Sequence, residues 1–442
     1  MLKKIENPDI SKIDNKELLK LFDNEEAQAL FEKSLFPYIH WEKIKYWNMP
    51  KGIDNLKLWA YIKLRRRVLS RKRSPIKDEK EKSFTWISSL SKIEKVLHEI
   101  DMRLGGNLFI SQNQFSDELK HRLLSRGVME EAIASSQLEG AHTSRKVAKQ
   151  ILLEGKKPNN KSEQMIVNNY QAMKLIETDL KDKKLDEEIL FNLHEILTKE
   201  VLKKSDIGRY RKDRDEIIVG GDGSEIYHIP PKEAFVKKEI KRLIAYANNE
   251  IKENDFIHPV LKAIIIHFWI GYLHPFVDGN GRMARTLFYW YLLKENYWAF
   301  AYLPLSKVIK NSPAQYRDAY IYSEQDDNDL TYFIEYNINK IEQAMREFEE
   351  YAERKWKENT KMAKLSRDKY QLNDRQIQLL RYYYKNKDST TSITTHMKVY
   401  ETSRMTATND LKDLLKKGFL RTKKVGRTVF YYATEKVNNL FD

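Results

Sequence analysis

Hydrophobic residues recur at spacings of three and four positions through roughly the first 360 residues, which is the period of an amphipathic helix. In the stretch 185–202, residues Leu185, Ile189, Leu193 and Ile196 fall on one face of such a helix. Glycine and proline, which interrupt helices, are few. The pattern predicts a mainly α-helical protein.

Two segments depart from this rhythm and predict strands. In 209–231, the β-branched run Ile217–Val219 is followed by GGDG, a second apolar run and a Pro-Pro pair, which is typical of a β-hairpin. In 419–433, two alternating strands flank Gly426. These changes predict a helical N-terminal region at 1–105, a central helical body at 106–360 and a small C-terminal unit at 365–442.

Composition narrows the chemistry. The chain has 442 residues, a formal charge of +15 and no cysteine, which excludes disulfides, thiol nucleophiles and cysteine-ligated metal centres. Lysines are scattered, as on a solvated surface, and are densest at 63–72 and 412–427. The longest apolar stretch, Ala263–Leu273, is too short to span a bilayer and contains His267. With no leader-like N-terminus, we expect a cytoplasmic protein with no membrane association.

The segment 258–293 carries the strongest chemical signal. An apolar helix beginning at Pro259 is followed by HPFVDGNGRMAR and a second helix. The glycines of Asp278–Gly281 let backbone amides turn inward at a helix N-terminus, which is an anion-binding arrangement. Arg282 and Arg285 add two guanidinium groups on the first turn. The loop is predicted to cradle phosphate.

Two further side chains suggest group transfer. An acidic residue in a phosphate cradle needs a cation between itself and the ligand, so Asp278 is a candidate Mg²⁺ ligand. His274 can take a proton near neutral pH and is the candidate base. Together they indicate transfer of a nucleotidyl or phosphoryl group. The simpler alternative is a glycine-rich turn with a core histidine and two surface arginines.

The run HPFVDGNGRMAR resembles the Fic-family motif HxFx(D/E)GNGRxxR at every fixed position, within a resemblance that covers about 130–350. The resemblance implies an all-α Fic fold for the catalytic domain at 106–360 and transfer of AMP from ATP to a Ser, Thr or Tyr hydroxyl of a target protein. It gives His274 the role of base and Asp278 that of Mg²⁺ ligand. The nucleotide-binding residues implied in the loop 274–285 are Gly279, Asn280, Gly281, Arg282, Met283, Ala284 and Arg285. Transfer of another phosphate-containing group is the alternative within the family.

The hairpin gains a meaning from the same resemblance. In the family a β-hairpin flap, here 209–231, covers the site and aligns the target segment by strand addition. The flap residues implied to neighbour the nucleotide are Ile218, Val219, Gly220 and Gly221. On the far side of the site, the resemblance points to Tyr316.

A second motif lies upstream of the loop. The bare sequence Glu131–Glu139 predicts a short helix ended by Gly140. SSQLEG resembles the Fic inhibitory motif (S/T)xxxE(G/N), with Ser135 and Glu139 in register, on a helix near 130–140. The resemblance implies that Glu139 pairs with Arg285 and holds the transferase inactive. Some relatives use this glutamate to remove AMP, so the net direction stays open.

The C-terminal unit resembles a winged helix-turn-helix, with helices followed by a two-stranded wing. Its third helix is expected to bury Leu411, Leu414 and Leu415, and its candidate contacts to duplex DNA are Arg404, Lys412 and Arg427. A protein-docking role is equally compatible with the sequence. The alternative function is therefore a DNA-binding regulator with the Fic core as sensor or effector. Region 1–105 is expected to pack on the core, and it could also support a homodimer.

Overall fold

The computed structural model describes residues 2–69, 71–104, 117–220, 225–251, 256–386, 389–426 and 428–438. Helices dominate these residues, so the predicted mainly α-helical class is confirmed. Within the described ranges, no helix has the length and apolar character needed to cross a bilayer.

The N-terminal region, up to Leu104, contains helices and one hairpin. Its elements are α1 (Asn15–Lys20), α2 (Glu25–Leu35), α3 (Trp41–Ile44), α4 (Asn55–Val68), β1 (Arg71–Lys77), β2 (Ser83–Ile87) and α5 (Ser91–Leu104). Asp14, Asn24 and Asp54 accept hydrogen bonds from the first turns of α1, α2 and α4, which fixes where these helices begin.

The hairpin β1–β2 differs from the helical prediction for 1–105. Its strands pair antiparallel, with Arg71 opposite Ile87 and Lys77 opposite Ser83. The basic run before it reads as a continuing helix, but α4 ends at Val68 and Pro75 cannot donate to a helical ladder. Ser74 and Ile76 are buried, because one face of the hairpin covers the core.

The central part carries the long helices. Its elements are α6 (Asp117–Leu138), α7 (Arg145–Glu154), α8 (Lys161–Leu175), α9 (Glu187–Thr198), β3 (Val219–Gly220), β4 (Ile226–His228), α10 (Glu233–Ala247), α11 (Pro259–Leu273), α12 (Asn280–Lys294), α13 (Leu305–Lys310), α14 (Pro313–Gln325) and α15 (Thr331–Tyr370). The motif helix predicted at 131–139 is the end of the longer α6. The boundary near residue 105 falls outside the described residues and stays a prediction.

One hydrophobic core runs from Leu18 to Ala352 and joins the N-terminal region to the central part. Helix α11 lies inside it and is buried on nearly every side. The ring of Phe268 in α11 lies 5.3 Å from Phe84 of β2 and 5.2 Å from both Tyr320 of α14 and Phe333 of α15. The helix that leads into the motif is therefore held by elements distant in sequence.

The C-terminal unit has its own core, which spans Leu372 to Val437. Its elements are α16 (Asp374–Lys385), β5 (Thr390–Thr391), α17 (Ile393–Tyr400), α18 (Arg404–Lys416), β6 (Leu420–Val425) and β7 (Thr428–Ala433), with strand order β5-β7-β6. Leu411 and Leu414 are buried as expected, but Leu415 is 39% exposed, so its inward orientation was wrong. The assignment as a winged helix-turn-helix stays a prediction.

Candidate active site

The motif loop joins two buried helices through two residues with left-handed backbone. His274 follows α11 with φ +46° and donates its N–H to Ile270 O at 2.9 Å. Gly279 precedes α12 with φ +86°, a conformation that favours glycine. The chain thus reverses sharply between the helices, and the first amides of α12 turn towards the loop.

Asn280 fixes the shape of the loop. Its side-chain oxygen accepts from Phe276 N at 2.9 Å, and its amide nitrogen donates to Phe276 O at 2.8 Å. Both residues are buried, with exposures of 1% and 0%. The pair of bonds closes the loop from inside, so Asn280 contributes a side-chain staple as well as a backbone amide.

His274 has the geometry of a neutral base. Its Nδ1 lies 3.2 Å from the carbonyl oxygen of Gly271, which can only accept, so Nδ1 carries the proton and Nε2 keeps its lone pair. Burial, followed by the charge of His228, lowers the pKa of His274 to about 4. The ring is therefore uncharged at neutral pH and able to take a proton.

Arg282 faces the inner side of the loop. It is fully buried, and its guanidinium donates to Leu197 O at 2.5 Å and lies 3.3 Å from Oδ2 of Asp278. Its Nε is buried without a hydrogen-bond partner. The sequence predicts this guanidinium on the first turn of the helix, and the structure places it there fully buried, so the alternative of a surface arginine is wrong at this position.

Arg285 faces the inhibitory motif. Its Nε donates to the hydroxyl of Ser135 at 2.8 Å, and Nη2 donates to the Ser135 carbonyl at 3.0 Å and to Oε1 of Glu139 at 2.9 Å. The side chain of Arg285 is 4% exposed and that of Glu139 is 25% exposed. We call the contact between Glu139 and Arg285 the lock.

The lock also covers the loop. A Cβ atom at Gly281 would lie 2.1 Å from Oε1 and 2.7 Å from Cδ of Glu139, so the carboxylate rests directly on this glycine. Burial alone would raise the pKa of Glu139, but the cations Arg285 and Arg282 outweigh it and leave the pKa below its usual value. An ionised carboxylate therefore occupies the predicted phosphate cradle.

The other predicted loop residues contribute little side-chain surface. Met283 is fully buried and Ala284 is 1% exposed. The Met283 N–H donates to Gly279 O at 2.9 Å, within the first turn of α12. Both residues face the core.

Within the described residues, the flap contains the short paired strands β3 and β4. Val219 of β3 pairs with His228 of β4, and Gly220 pairs with Ile226. Ile218 precedes the strand and is 54% exposed, while Gly221 lies outside the described residues. The far edge of β4 meets the N-terminal segment, where Lys3 N donates to Ile226 O at 2.7 Å.

Tyr316 lies close to the lock. Its hydroxyl is 2.7 Å from Nε2 of His267. Burial lowers the pKa of Arg285, but Glu139 and then Tyr316 outweigh burial and leave the pKa of that guanidinium above its ordinary value. His267 is fully buried, and burial lowers its pKa to about 3. Tyr316 of α14 is thus held beside Arg285 by a hydrogen bond to a neutral histidine of α11.

Sequence reasoning missed His194. This residue of α9 is fully buried, stacks on Phe276 at 4.0 Å and accepts from Gly208 N at 3.2 Å through Nδ1. Nε2 therefore carries the proton and donates to Asp278 O at 3.1 Å. A histidine within an apolar helical pattern was the available signal, but its partner lies 84 residues away.

Asp278 fits a magnesium site in which most of the ligands come from substrate and water. One oxygen accepts from Gly279 N at 2.6 Å, and the carboxylate is 45% exposed. Within the described part of the chain, no group of three or more His, Cys, Asp or Glu could hold a metal. Mg²⁺ commonly uses one or two protein carboxylates with water and phosphate oxygens, so this donor set is compatible with it.

The DNA-contact candidates do not belong to this loop. Arg404 and Lys412 are exposed on α18 of the C-terminal unit. Arg427 lies outside the described residues. The structure thus brings together His274, Asp278, Arg285, Ser135 and Glu139, and leaves the basic candidates on a separate core.

Residues 184–292 match the Fic/DOC family. This chain carries a Fic/DOC domain. The matched segment includes His194, the flap and the whole motif loop, whereas Ser135 and Glu139 precede it.

The Fic segment is similar to proteins named "Protein adenylyltransferase Fic" from Drosophila mojavensis and Drosophila melanogaster. Each is 34% identical over 90 residues, which are 20% of this chain and 16% of the relative. The match thus covers about a sixth of those relatives. Among solved structures, a Fic family protein from Desulfovibrio desulfuricans G20 has a TM-score of 0.47 at 22% identity, covering 78% of this chain and 95% of that one. Fic-1 from C. elegans has a TM-score of 0.44 at 17% identity, covering 58% and 70%.

Proposed function

We propose that this Fic-family protein transfers AMP from ATP to a Ser, Thr or Tyr hydroxyl of a target protein and that Glu139 inhibits it. One observation carries the proposal: the carboxylate of Glu139 rests on Gly281 and pairs with Arg285. Loop amides and a buried guanidinium suit an anionic ligand, and the chain's own carboxylate fills their site. The names of the curated Fic relatives support AMP as the transferred group.

The transfer step follows from the ring of His274. Nε2 takes the proton of the target hydroxyl, whose oxygen forms a bond to the α-phosphorus of ATP. The bond from that phosphorus to the bridging oxygen of the β-phosphate breaks, and pyrophosphate leaves. Asp278 would hold Mg²⁺, which offsets phosphate charge when bound.

Loop amides at Gly279–Gly281 would stabilise the charge that develops on the α-phosphate. Arg285, once released from Glu139, would bind the outer phosphates. Ile218, Val219, Gly220 and Gly221 belong to the flap that we propose covers the nucleotide, with Tyr316 on the opposite side.

The target segment would add to the flap as a strand. In the described residues β3 pairs with β4 alone, while β4 also meets Leu2. We therefore propose that the outer edge of β3 receives the target. Main-chain pairing of this kind makes few demands on target sequence.

Label transfer from α-labelled ATP tests the proposal. We expect weak transfer by the native protein, stronger transfer by Glu139→Gly and none by His274→Ala. Glu154→Gly is the matched control, because Glu154 ends α7 on an exposed surface. Mass spectrometry of a lysate incubated with ATP and Glu139→Gly would identify the added mass and the modified residues. Absence of transfer by both native and Glu139→Gly proteins, with Mg²⁺ or Mn²⁺, would refute the proposal. A loss of label from pre-modified target would assign the reverse reaction to Glu139.

A second candidate function is duplex DNA binding by the C-terminal unit. After the buried Leu420, the rest of β6 is exposed, including Arg421, Lys423 and Lys424. With Arg404 and Lys412 of α18, these cations form a basic surface suited to phosphates. We expect Arg404→Ala and Lys412→Ala each to reduce the salt slope of binding by about 1, while exposed Lys80→Ala has no effect. Fluorescence anisotropy with labelled duplex checks this, and salt-independent or undetectable binding would exclude it.

A further inference from the structure

The flap strand β4 ends in a histidine whose two ring nitrogens both meet acceptors. His228 is 9% exposed. Its Nδ1 lies 2.7 Å from Oε2 of Glu324 in α14, and its Nε2 lies 2.7 Å from the carbonyl oxygen of Tyr272 in α11. A carbonyl and an ionised carboxylate can only accept, so both bonds form only when both nitrogens carry a proton. The geometry requires an imidazolium.

The second of these bonds acts on the last turn of α11, just before the catalytic loop. Carbonyls at a helix C-terminus have no donor within the helix, and cations there are favourable. His228 donates to Tyr272 O, while Arg211 donates to Leu273 O at 3.3 Å and to His274 O at 2.7 Å. Two cations thus hold three consecutive carbonyls.

His274 needs such support. Its φ of +46° is uncommon for a residue other than glycine and persists only where the surroundings hold it. Its ring centroid lies 6.5 Å from that of His228. His228 therefore acts on the backbone around the base and does not reach the reacting atoms.

We propose that His228 is a positioning residue, which as an imidazolium fixes the flap to the last turn of α11 and thereby holds His274 for proton transfer. The inference rests on the proposed function, since the transfer step gives His274 its role. It adds a dependence on pH that the Glu139 lock does not supply.

The surroundings favour the charged ring. Burial lowers the pKa of His228, but Glu324 outweighs burial and leaves the pKa above the ordinary 6.5. Among the described residues, seven charged or titratable groups face this region: Glu324 of α14, Tyr272 of α11, His274 after α11, Arg211 before β3, Asp78 and Glu79 after β1, and Lys4 of the N-terminal segment. A cavity of about 470 Å³ borders His228 and gives its proton access to solvent. We call the two bonds of the charged His228 ring, to Glu324 and to Tyr272 O, the clamp. The clamp is complete below pH 6.5 and is lost as the pH rises through the pKa of His228 in the folded protein, which is higher than 6.5.

Three variants of the full-length chain separate the two bonds of the ring. His228→Gln can keep a donor near Tyr272 O without a charge, and His228→Asn can keep a donor near Glu324. Glu324→Gln keeps the histidine and removes its ionic partner. The matched control is His258→Gln, because His258 lies at the other end of α11 and faces Asp101 at 3.1 Å.

Two measurements do not depend on catalysis. In NMR spectra of histidine-labelled protein, we expect the pKa of His228 to lie above 6.5 and to be lower in Glu324→Gln. In amide hydrogen exchange, protection of β4 and of His274 N–H should decrease as His228 loses its proton. The protection should be independent of pH in His228→Gln and unchanged by His258→Gln. A His228 ring that carries only one proton at pH 6 would overturn the proposal. So would amide protection of β4 and His274 that does not change as His228 titrates.

Transfer is measured in the Glu139→Gly background. We expect the rate to fall about tenfold as His228 deprotonates, the scale of one lost charge-assisted hydrogen bond, and this alkaline decrease to disappear in His228→Gln. A decrease that persists unchanged in His228→Gln would remove the positioning role even if NMR shows the imidazolium. If Glu139→Gly transfers nothing at any pH, the proposed function fails, and the exchange experiment still decides whether the clamp exists.

Discussion

Replacing Glu139 by Gln and by Gly should give a graded release of the lock. Gln keeps the length of the side chain and can still accept from Arg285, but it removes the negative charge. A hydrogen bond to a charged partner contributes about 1.5–3 kcal/mol and a neutral one about 0.5–1.5 kcal/mol. The loss of charge should therefore weaken the lock by about 1 kcal/mol, and the loss of the whole contact by about 1.5–3 kcal/mol.

These free energies set the expected rates. Since about 1.4 kcal/mol corresponds to a factor of ten, Glu139→Gln should raise transfer by about fivefold and Glu139→Gly by roughly 10- to 150-fold. The assay is the initial rate of label incorporation from α-labelled ATP into a target at matched protein concentrations. Glu154→Gly should leave the rate at the native level.

The same series has an effect on folding. Arg285 keeps its bonds to Ser135 in both variants, but its buried charge loses an ionic partner. We expect a loss of about 1–3 kcal/mol in the free energy of unfolding. This is less than the cost of breaking a fully buried ion pair, because Glu139 is 25% exposed. ATP, which would bind Arg285 in place of Glu139, should raise the melting temperature more in Glu139→Gly than in the native protein.

The pH dependence of the lock has a definite sign. Glu139 has a folded pKa below the ordinary 4.5, so its contribution is complete above 4.5 and is lost only as the pH falls through the lower value. Mild acid should therefore leave the inhibition in place. Equal rates for native, Gln and Gly proteins, or a Gln variant no more active than the native protein, would refute the view that charge holds the lock.

Three further outcomes are expected. Asn280→Ala should abolish transfer and lower the free energy of unfolding in urea by about 2–4 kcal/mol, because the buried N–H and C=O of Phe276 lose their partners; unchanged stability would contradict the staple. His194→Phe should keep the stacking but lose the bonds to Asp278 O and Gly208 N, lowering both kcat and the melting temperature; an unaltered kcat would exclude a role for this histidine. Burial opposes ionisation of Asp410, but its hydrogen bonds lower its pKa to about 2. Tyrosine fluorescence should therefore report loosening of the C-terminal unit only as the pH falls from 3.8 towards 2. Loosening that begins near pH 5 would contradict this expectation.

The motif loop could be predicted from the sequence because the residues that define it lie close together in the chain. Glycines at two positions, a helix N-terminus and the motif residues lie within twelve consecutive positions, so spacing alone predicts an anion-binding turn. The helix-rich class was accessible for the same reason, since periodicity is a property of neighbouring residues.

The features that were missed depend on contacts between distant segments. His194 and His228 look like ordinary histidines until Phe276, Tyr272 and Glu324 lie beside them. The hairpin β1–β2 was missed because β1 lies in a basic run. The alternation of buried and exposed residues in this strand becomes visible only when one face of the hairpin packs on the core. Arg282 illustrates the same limit, since spacing places it on the first turn of α12 but cannot show that the turn is covered.

The position of α11 inside a shared core has a consequence for inheritance and engineering. The match to the Fic/DOC family covers residues 184–292, yet Phe268 packs against Phe84 and Phe333, which lie outside that segment. Excised alone, the segment would expose large aromatic surfaces to water and would be expected to aggregate. A chimaera that exchanges only this segment would have to repack two foreign aromatic contacts, each sensitive to volume. The unit that can be exchanged between relatives is therefore the whole core from Leu18 to Ala352. This unit is larger than the segment 184–292 that matches the family.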